Sequence, residues 1–491
     1  MIVHMILPIL AGAAVTAITA AYLTNPFTRY SIIRLPFRAH IKQRALLFID
    51  NNHKLTVRNS YLWRVWAIVK SGIYILTTRY IDQDASRSTT VSEIIRDIHT
   101  LRFDPDKLLL ISGDHFNSLF VRNLGVFYYP MLDRRIKGSE EDWQRRQIVY
   151  MQTVAYALGV YALDPTPTTT IVPTGPYGAT CVDFYTHPSD TVFGIFFALA
   201  ALAGKEDSAP TNYAKIAHPL DTRDSAHELI DNYEGTLRAL YDNYSGYAFD
   251  PASGLVSTSI HMSGAKDITK RNSAFYDNVV YWKTTELAMN LGVIPRDKPF
   301  LAALKKKILE TYWYEEGGYF LEDQSPECLD KKYYSSDWLI VLSTRFLDPT
   351  KPTEQHYFTH SIDYIDKYRI ARPFAIKYQQ STRAHRQFFI VRLAVASYGG
   401  DAIWSFWGME YIKLLCILHK STGEERYKKE AAYHLKKYRK NIIKYRGFPE
   451  VYDHDGDLLK TPLYKSIRMT GWVIGFEQAE AMYKHLVGEL S

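Results

Sequence analysis

The chain has 491 residues, 47% apolar and 23% charged, which excludes a disordered or collagen-like polymer and allows two to three domains or one large repetitive one. Its net charge of +7 comes without a nucleic-acid-binding motif, and the basic stretch YKKEAAYHLKKYRKNIIKYR reads as a solvated helix face, so no nucleic-acid partner is expected. Cys181, Cys328 and Cys416 lie far apart with no C-x-x-C, which leaves a disulfide framework and a zinc site unsupported.

Residues 5 to 23, MILPILAGAAVTAITAAYL, are uncharged and 19 long, enough to span a bilayer as a helix. A cleaved signal peptide and a buried core helix are the rival readings, but the leading region of a signal peptide should be basic and MIVH is not. Arg29, Arg34, Arg38, Lys42 and Arg44 follow the apolar run, so the positive-inside rule puts the body on the cytoplasmic side. The expected division is a membrane anchor or uncleaved signal over 1–24, a juxtamembrane, β-containing segment over 25–90, and a helical domain over 91–491. Within the middle segment RALLFIDNNHKLTVRNS and SGIYILTTRY carry β-like runs, while WRVWAIVK reads as helix or strand.

From Ser92 onward the pattern turns helical. EEDWQRRQIVYMQTVAYALGVYAL repeats apolar residues at steps of three and four. SDTVFGIFFALAALAG is nearly all apolar behind a Ser/Asp cap, and its 16 residues suit a buried helix better than a membrane span. Helices are predicted in SAHELIDNYEGTLRALYDNY, SAFYDNVVYWKTTELAMNLG, KPFLAALKKKILETYWY, SSDWLIVLSTRFL, TEQHYFTHSIDYIDKY, IWSFWGMEYIKLLCILHK, GEERYKKEAAYHLKKYRKNIIKY and TGWVIGFEQAEAMYKHLV. No low-complexity linker divides them.

Three stretches share their wording: GYAFDPASGL from Gly246, GGYFLEDQSP from Gly317 and GFPEVYDHDG from Gly447. Counted from Gly246, Gly318 and Gly447, the spacings are 72 and 129 residues, one and two units of helix–loop–helix size, and each follows an amphipathic helix ending in aromatics. The pattern predicts stacked helical hairpins whose loops lie on one face, where binding groups are usually placed. The bland alternative is a common helix terminator.

Glu450 stands in the third copy where the first two have Phe249 and Leu321. The loop SGAKDITKR carries Asp267 and runs into a helix with Tyr276, Asp277, Tyr281 and Trp282. With Lys266, Lys270 and Arg271 nearby, Asp267 reads either as an ionised surface residue or cap, or as one of two working carboxylates. Cleaving a glycosidic bond takes one carboxylic acid to protonate the leaving oxygen and a second carboxylate to attack or to activate water, in environments that separate their pKa values.

On these residues the chain resembles the six-hairpin glycosidases, with closest wording in the clan of trehalases, processing α-glucosidases and mannosylglycerate hydrolases. Ser263, Gly264, Asp267, Thr269 and Arg271 follow that clan's E-S-G-x-D-x-S-x-R segment, with one extra residue before Asp267 and Met262 in place of the leading Glu. Phe448, Glu450 and Tyr452 match its F-x-E-x-Y loop. GGDAIWSFWGMEY, with Trp404 and Trp407, is similar to its W-R-G-P-x-W segment without the Arg-Gly-Pro part. SGDHFNSLFVRNLGVFYYPML is similar to the W-x-R-D entry of the first hairpin, with Asn123 after Arg122. There Arg122 and Asp114 read as sugar-binding groups or, equally, as a structural pair.

The resemblance implies a mainly α, (α/α)6 toroid and an inverting glycoside hydrolase acting on an α-linked oligosaccharide or small glycoside. Asp267 would be the acid and Glu450 the base, about 6.5–9.5 Å apart. Arg271 and Asp277 join the substrate-binding set, and Phe116, Tyr276, Trp404, Trp407 and Trp472 would stack on sugar faces. The alternatives are a sugar epimerase or isomerase, which needs paired histidines in the cavity, and an inactive glycan-binding toroid. No cofactor or metal is expected. DHDGD from Asp453 fails the EF-hand spacing, since Gly456 falls at position 4 and Tyr464 at position 12. No H-E-x-x-H, P-loop, G-x-G-x-x-G or G-x-S-x-G occurs. The expected partners are a carbohydrate and, through the N-terminal helix, a membrane; the oligomeric state is left open.

Overall fold

The computed structural model describes residues 55–78, 85–103, 118–133, 140–173, 178–183, 187–204, 220–266 and 268–489. Helix α1 (Tyr61–Thr78) is followed by α2 (Val91–Arg102), α3 (Glu140–Tyr161), α4 (Thr191–Leu202), α5 (Leu220–Asn232), α6 (Glu234–Ala248), α7 (Phe275–Leu291) and α8 (Lys298–Tyr312). Then come α9 (Pro326–Lys331), α10 (Ile340–Ser343), α11 (Pro352–Lys367), α12 (Phe389–Val395), α13 (Ser405–Thr422), α14 (Glu425–Tyr445) and α15 (Val473–Leu486).

Burial separates these helices into two rings. In α14 the buried residues are Tyr427, Ala431, His434, Leu435, Tyr438 and Ile442, a one-sided stripe with charged residues opposite. In α4 all twelve residues are buried, because it is apolar on every side. The inner ring closes through packing of the 3-10 turns Val121–Leu124 on α4, α4 on α7, α7 on α10, α10 on α13, α13 on α15, and α15 on the 3-10 turn Tyr129–Leu132. Outside it run α2, α3, the pair α5 and α6, α8, α11 and α14, and α14 returns to pack on α2. Outer and inner elements alternate along the chain, so the order is that of six helical hairpins in an (α/α)6 toroid. The first and fourth inner elements are short: 3-10 turns in one, and Ser336–Leu339 plus the single turn α10 in the other. SSDWLIVLSTRFL was expected to form one continuous helix.

Alternation fixes the geometry of the loops. Every inner element starts at the end where the preceding outer helix stops. The three Gly-aromatic stretches fall at or just beyond the C-termini of α6, α8 and α14, and hence on this common end. The first two form short antiparallel pairs, Phe249–Asp250 with Leu255–Val256 and Trp313–Tyr314 with Tyr319–Phe320. Gly318 takes φ +69 at the turn of the second pair, a conformation open to glycine without a Cβ clash.

A small sheet of order β1-β4-β3-β2 lies at the N-terminal side, with β1 (Thr56–Val57) parallel to β4 (Gly178–Val182), and β3 (Thr170–Pro173) antiparallel to β4 and to β2 (Leu119–Phe120). SGIYILTTRY was expected as strand, yet its described residues complete α1. α1 packs on β4, and Ala67 joins Val172 and Val182 in a small apolar cluster, so tertiary packing overrides a weak β preference.

The expected single-pass membrane anchor is corrected here, because no described helix is long and apolar enough to cross a membrane. α1 has 18 residues but carries Arg64 and Lys70. The wholly apolar α4 has 12 residues, about 18 Å of helix against a hydrocarbon core of about 30 Å. Residues 5 to 23 lie outside the described residues, and the cytoplasmic placement built on them is withdrawn.

Candidate active site

The inner elements begin together, so their first turns and entry loops surround one central region. α4 brings Ser189 and Asp190 to it, α7 brings Tyr276 and Asp277, the fourth inner element brings Asp337, α13 brings Trp404 and Trp407, and α15 brings Trp472. All of these side chains are buried. Helix N-termini expose backbone N–H groups and favour negative charge, which suits the concentration of carboxylates here.

Glu450 is 2% exposed. Its backbone N–H donates to Ile467 O at 2.9 Å, and its carbonyl accepts from the Ser405 N–H at 3.0 Å, at the first residue of α13. The next residue, Val451, pairs with Trp404 in a two-residue antiparallel ladder. Both backbone groups of Glu450 are thus tied to the sixth-hairpin loop and to α13. Tyr128, from the first hairpin, is pushed above the ordinary phenol range by burial, with the Glu450 charge adding to the shift.

A second group of charges at this end is paired. Arg271 is fully buried and donates from Nη1 to Asp337 Oδ2 at 2.6 Å, and the Tyr378 hydroxyl donates to the same oxygen at 3.2 Å. Burial opposes the Arg271 charge, but Asp337 and Asp277 outweigh it, so the guanidinium is held above its ordinary pKa. Tyr276 donates to Asp190 Oδ2 at 3.0 Å. Asp190 was expected as a helix cap; it makes no side-chain capping bond and serves Tyr276 instead. Arg122 Nη1 donates to Gly264 O and stands 3.8 Å from Asp190 Oδ1. A Cβ on Gly264 would meet Ser189 Oγ at 2.7 Å, so only glycine lets this loop approach so closely.

Asp277 is wholly buried, and neither of its oxygens has a hydrogen-bond partner of normal geometry. The same holds for Arg271 Nε and Nη2, Ser189 Oγ, and the indole nitrogens of Trp407 and Trp472. Burial pushes the Asp277 carboxyl up to about 6, with Arg271 and Ser189 pulling back and Asp190 and Asp337 adding. A carboxyl with a raised pKa stabilises the fold when protonated and loses that contribution as pH rises through about 6. Asp277→Asn is therefore expected to raise stability at pH 7 by about 2–3 kcal/mol, the gain vanishing below about pH 4, where the aspartate is neutral folded or unfolded. Urea unfolding at pH 7 and pH 4 checks this, and an equal effect at both would refute it.

Asp267, Asp114 and Phe116 lie outside the described residues, so the expected carboxyl separation is not measured. The residues on either side of Asp267 are tied to two other loops. Lys266 donates to Glu322 Oε1 at 2.6 Å, Lys270 N donates to Arg386 O at 2.8 Å, and Phe388 N donates to Ile268 O at 3.1 Å. Lys266 Nζ lies 4.6 Å from the centre of the Tyr378 ring, and Tyr378 meets Trp404 edge-on at 5.4 Å. The loop carrying Asp267 and the strand after Glu450 therefore reach the same aromatic group. Trp404 also faces Trp472 at 5.9 Å. Trp407, expected to stack on sugar, is fully buried and surrounded by Tyr276, Tyr378, Phe406 and Phe127.

Sequence reading missed Asp337, Glu322, Lys266 and Tyr378. A signal existed for Glu322: it follows Leu321 in the second Gly-aromatic stretch, one position beyond the place that Glu450 takes in the third. Among the described residues, no group of three or more His, Cys, Asp or Glu could hold a metal.

No protein-family model and no curated protein matches the sequence. Solved structures similar to the chain include a rhamnosidase from Klebsiella oxytoca with rhamnose bound (15% identity, TM-score 0.45), aligned over 83% of this chain and 66% of the other. The chain thus spans just under two thirds of that rhamnosidase. A mannosylglycerate hydrolase from Thermus thermophilus in complex with Tris and D-glycerate aligns at 11% identity and TM-score 0.46, over 80% of this chain and 100% of the other. A cellobiose 2-epimerase from Bacillus thermoamylovorans aligns at 12% identity and TM-score 0.45, over 86% and 100%. All three are members of the six-hairpin glycosidase superfamily, the group that the sequence resembles. With every score below 0.5, the functional reading rests on this chain's own residues.

Proposed function

We propose that the chain is a carbohydrate-active enzyme, and specifically a glycoside hydrolase that cleaves an α-linked oligosaccharide or small glycoside with inversion. Glu450 is the base that activates water, and Asp267 is the acid that protonates the leaving oxygen. The observation that carries the reading is Glu450 itself: a buried carboxylate with both backbone groups anchored, at the convergence of the inner elements and beside Trp404. A buried carboxylate held at that convergence is placed to take a proton from water.

Arg271 Nε and Nη2 and the indole nitrogen of Trp472, buried with no protein acceptor, support a polyhydroxylated ligand. Each costs on the order of 1–3 kcal/mol when buried without a partner, and sugar hydroxyls both donate and accept. Arg122 and Asp277 remain proposed substrate-binding groups, with Tyr276, Trp404 and Trp472 as the aromatic surface.

The test is a proton-NMR time course on α-linked disaccharides. Release of the β-anomer first supports the proposal. Conversion of a free sugar to its isomer, without glycoside cleavage, would replace it by the epimerase reading.

A further inference from the structure

Glu322 is a buried carboxylate with five hydrogen bonds, and it belongs to none of the groups assigned above. It accepts from Lys266 Nζ at 2.6 Å, from Gln379 Nε2 at 2.9 Å on each oxygen, from Arg383 Nη1 at 3.1 Å and from Arg386 Nη1 at 2.9 Å. These donors come from the entry loop of the third hairpin and from the loop between α11 and α13, while Glu322 itself follows α8. One carboxylate therefore joins three loops on the common end of the toroid.

The loop 264–271 is held from both sides. On one side Lys266 is tied to Glu322 and lies against Tyr378, whose hydroxyl meets Asp337, the partner of Arg271. On the other, Arg386 spans Glu322, Asp323 and Lys270 O, and Thr269 Oγ1 meets Gln387 Oε1 at 3.1 Å. Four cations, Lys266, Arg271, Arg383 and Arg386, face four carboxylates, Glu322, Asp323, Asp337 and Asp277. Burial opposes the Glu322 charge, but Lys266, Arg386 and Arg383 outweigh it and hold the carboxyl well below the usual range. Such a cluster holds position because its members have no water to turn to.

We propose that Glu322 is a positioning residue for proton donation: through Lys266 and Arg386 it fixes the loop next to the proposed acid, so that the acid meets the leaving oxygen. This rests on the reading under Proposed function. A positioning role predicts a dependence on the leaving group that a merely structural role does not. Protonation matters for a sugar leaving group and hardly at all for fluoride, which departs without it.

Glu322→Gln is expected to lower kcat on an α-linked disaccharide by about 100-fold, within the range of general-acid catalysis, with KM nearly unchanged and turnover of the α-glycosyl fluoride held within about threefold. Lys266→Arg keeps the charge and should retain most activity, whereas Lys266→Met should behave as Glu322→Gln. In the wild type, burial brings Lys266 down to about 8 against the pull of Glu322, so disaccharide turnover should fall above pH 8. The Lys266→Arg variant should lose that alkaline limb.

Equal losses on disaccharide and fluoride, or Lys266→Arg indistinguishable from Lys266→Met, would overturn the proposal. Hydrogen–deuterium exchange of residues 264–271 gives a readout independent of turnover. Faster exchange confined to this loop in Glu322→Gln supports the tether, and unchanged or uniformly raised exchange refutes it. Absence of glycoside cleavage by the wild type would sink the hydrolase reading, while the exchange result still decides whether Glu322 orders the loop.

Discussion

Replacing Glu450 by Gln should reduce hydrolysis of an α-linked disaccharide by about 10³-fold, within the 10²–10⁴ range typical of a general base. Gln fills the same volume, and the backbone bonds to Ile467 O and from Ser405 N survive the change. Folding should therefore be retained, with a melting temperature no lower than that of the wild type. Steady-state kinetics beside a thermal melt separates the two effects. KM should change little, because the lost function is proton removal from water in the transition state. Wild-type turnover in Glu450→Gln would remove Glu450 from the mechanism, and a large fall in melting temperature would mark it as a structural residue.

The largest stability effect is expected at Asp337. Arg271 has no exposed surface, and Asp337 Oδ2 is the protein acceptor 2.6 Å from its Nη1. Asp337→Ala leaves that guanidinium buried without its hydrogen-bonded partner, with only the charges of Asp277 and Glu322 near it. Breaking one partner of a buried ion pair costs about 3–5 kcal/mol. Removing both charges in Arg271→Met/Asp337→Leu should recover much of the loss, since the penalty lies in the orphaned charge more than in the missing attraction. Denaturant unfolding of the two single variants and the double variant measures this coupling directly. Additive losses would show that the pair is not coupled. The double variant should still lack activity if Arg271 or Asp337 serves substrate.

How much was legible beforehand differs between the rings and their contents. The outer helices declare themselves by one-sided periodicity, as in α14, and the inner α4 by unbroken apolarity. The shared wording at Gly246, Gly318 and Gly447 marked the loop end because each copy terminates an outer helix there. The fourth inner element escaped: SSDWLIVLS has helical composition but folds as a 3-10 turn and one turn of α-helix. SGIYILTTRY was misread because its β-branched residues say nothing of the β4 surface on which α1 packs.

Site residues divide in the same way. Glu450 was visible as a carboxylate at a position apolar in the sister copies. Asp337 and Glu322 were not, because their partners lie 66 and 56 residues away and arrive only when the hairpins close. Trp407 was expected to stack on sugar because its segment resembles that of the glycosidase clan; its ring packs between Tyr276 and Tyr378, contacts that only the closed toroid supplies.

The sequence by itself determined the outer helices, the long inner ones and the loops that share an end, because periodicity and turn residues act within a few residues of chain. Only the tertiary structure decided which charges are dry and which carboxylate meets which cation. A buried group's energy is set by neighbours brought from distant hairpins, and Asp277, Arg271 and Glu322 acquire their character only where six helix starts converge.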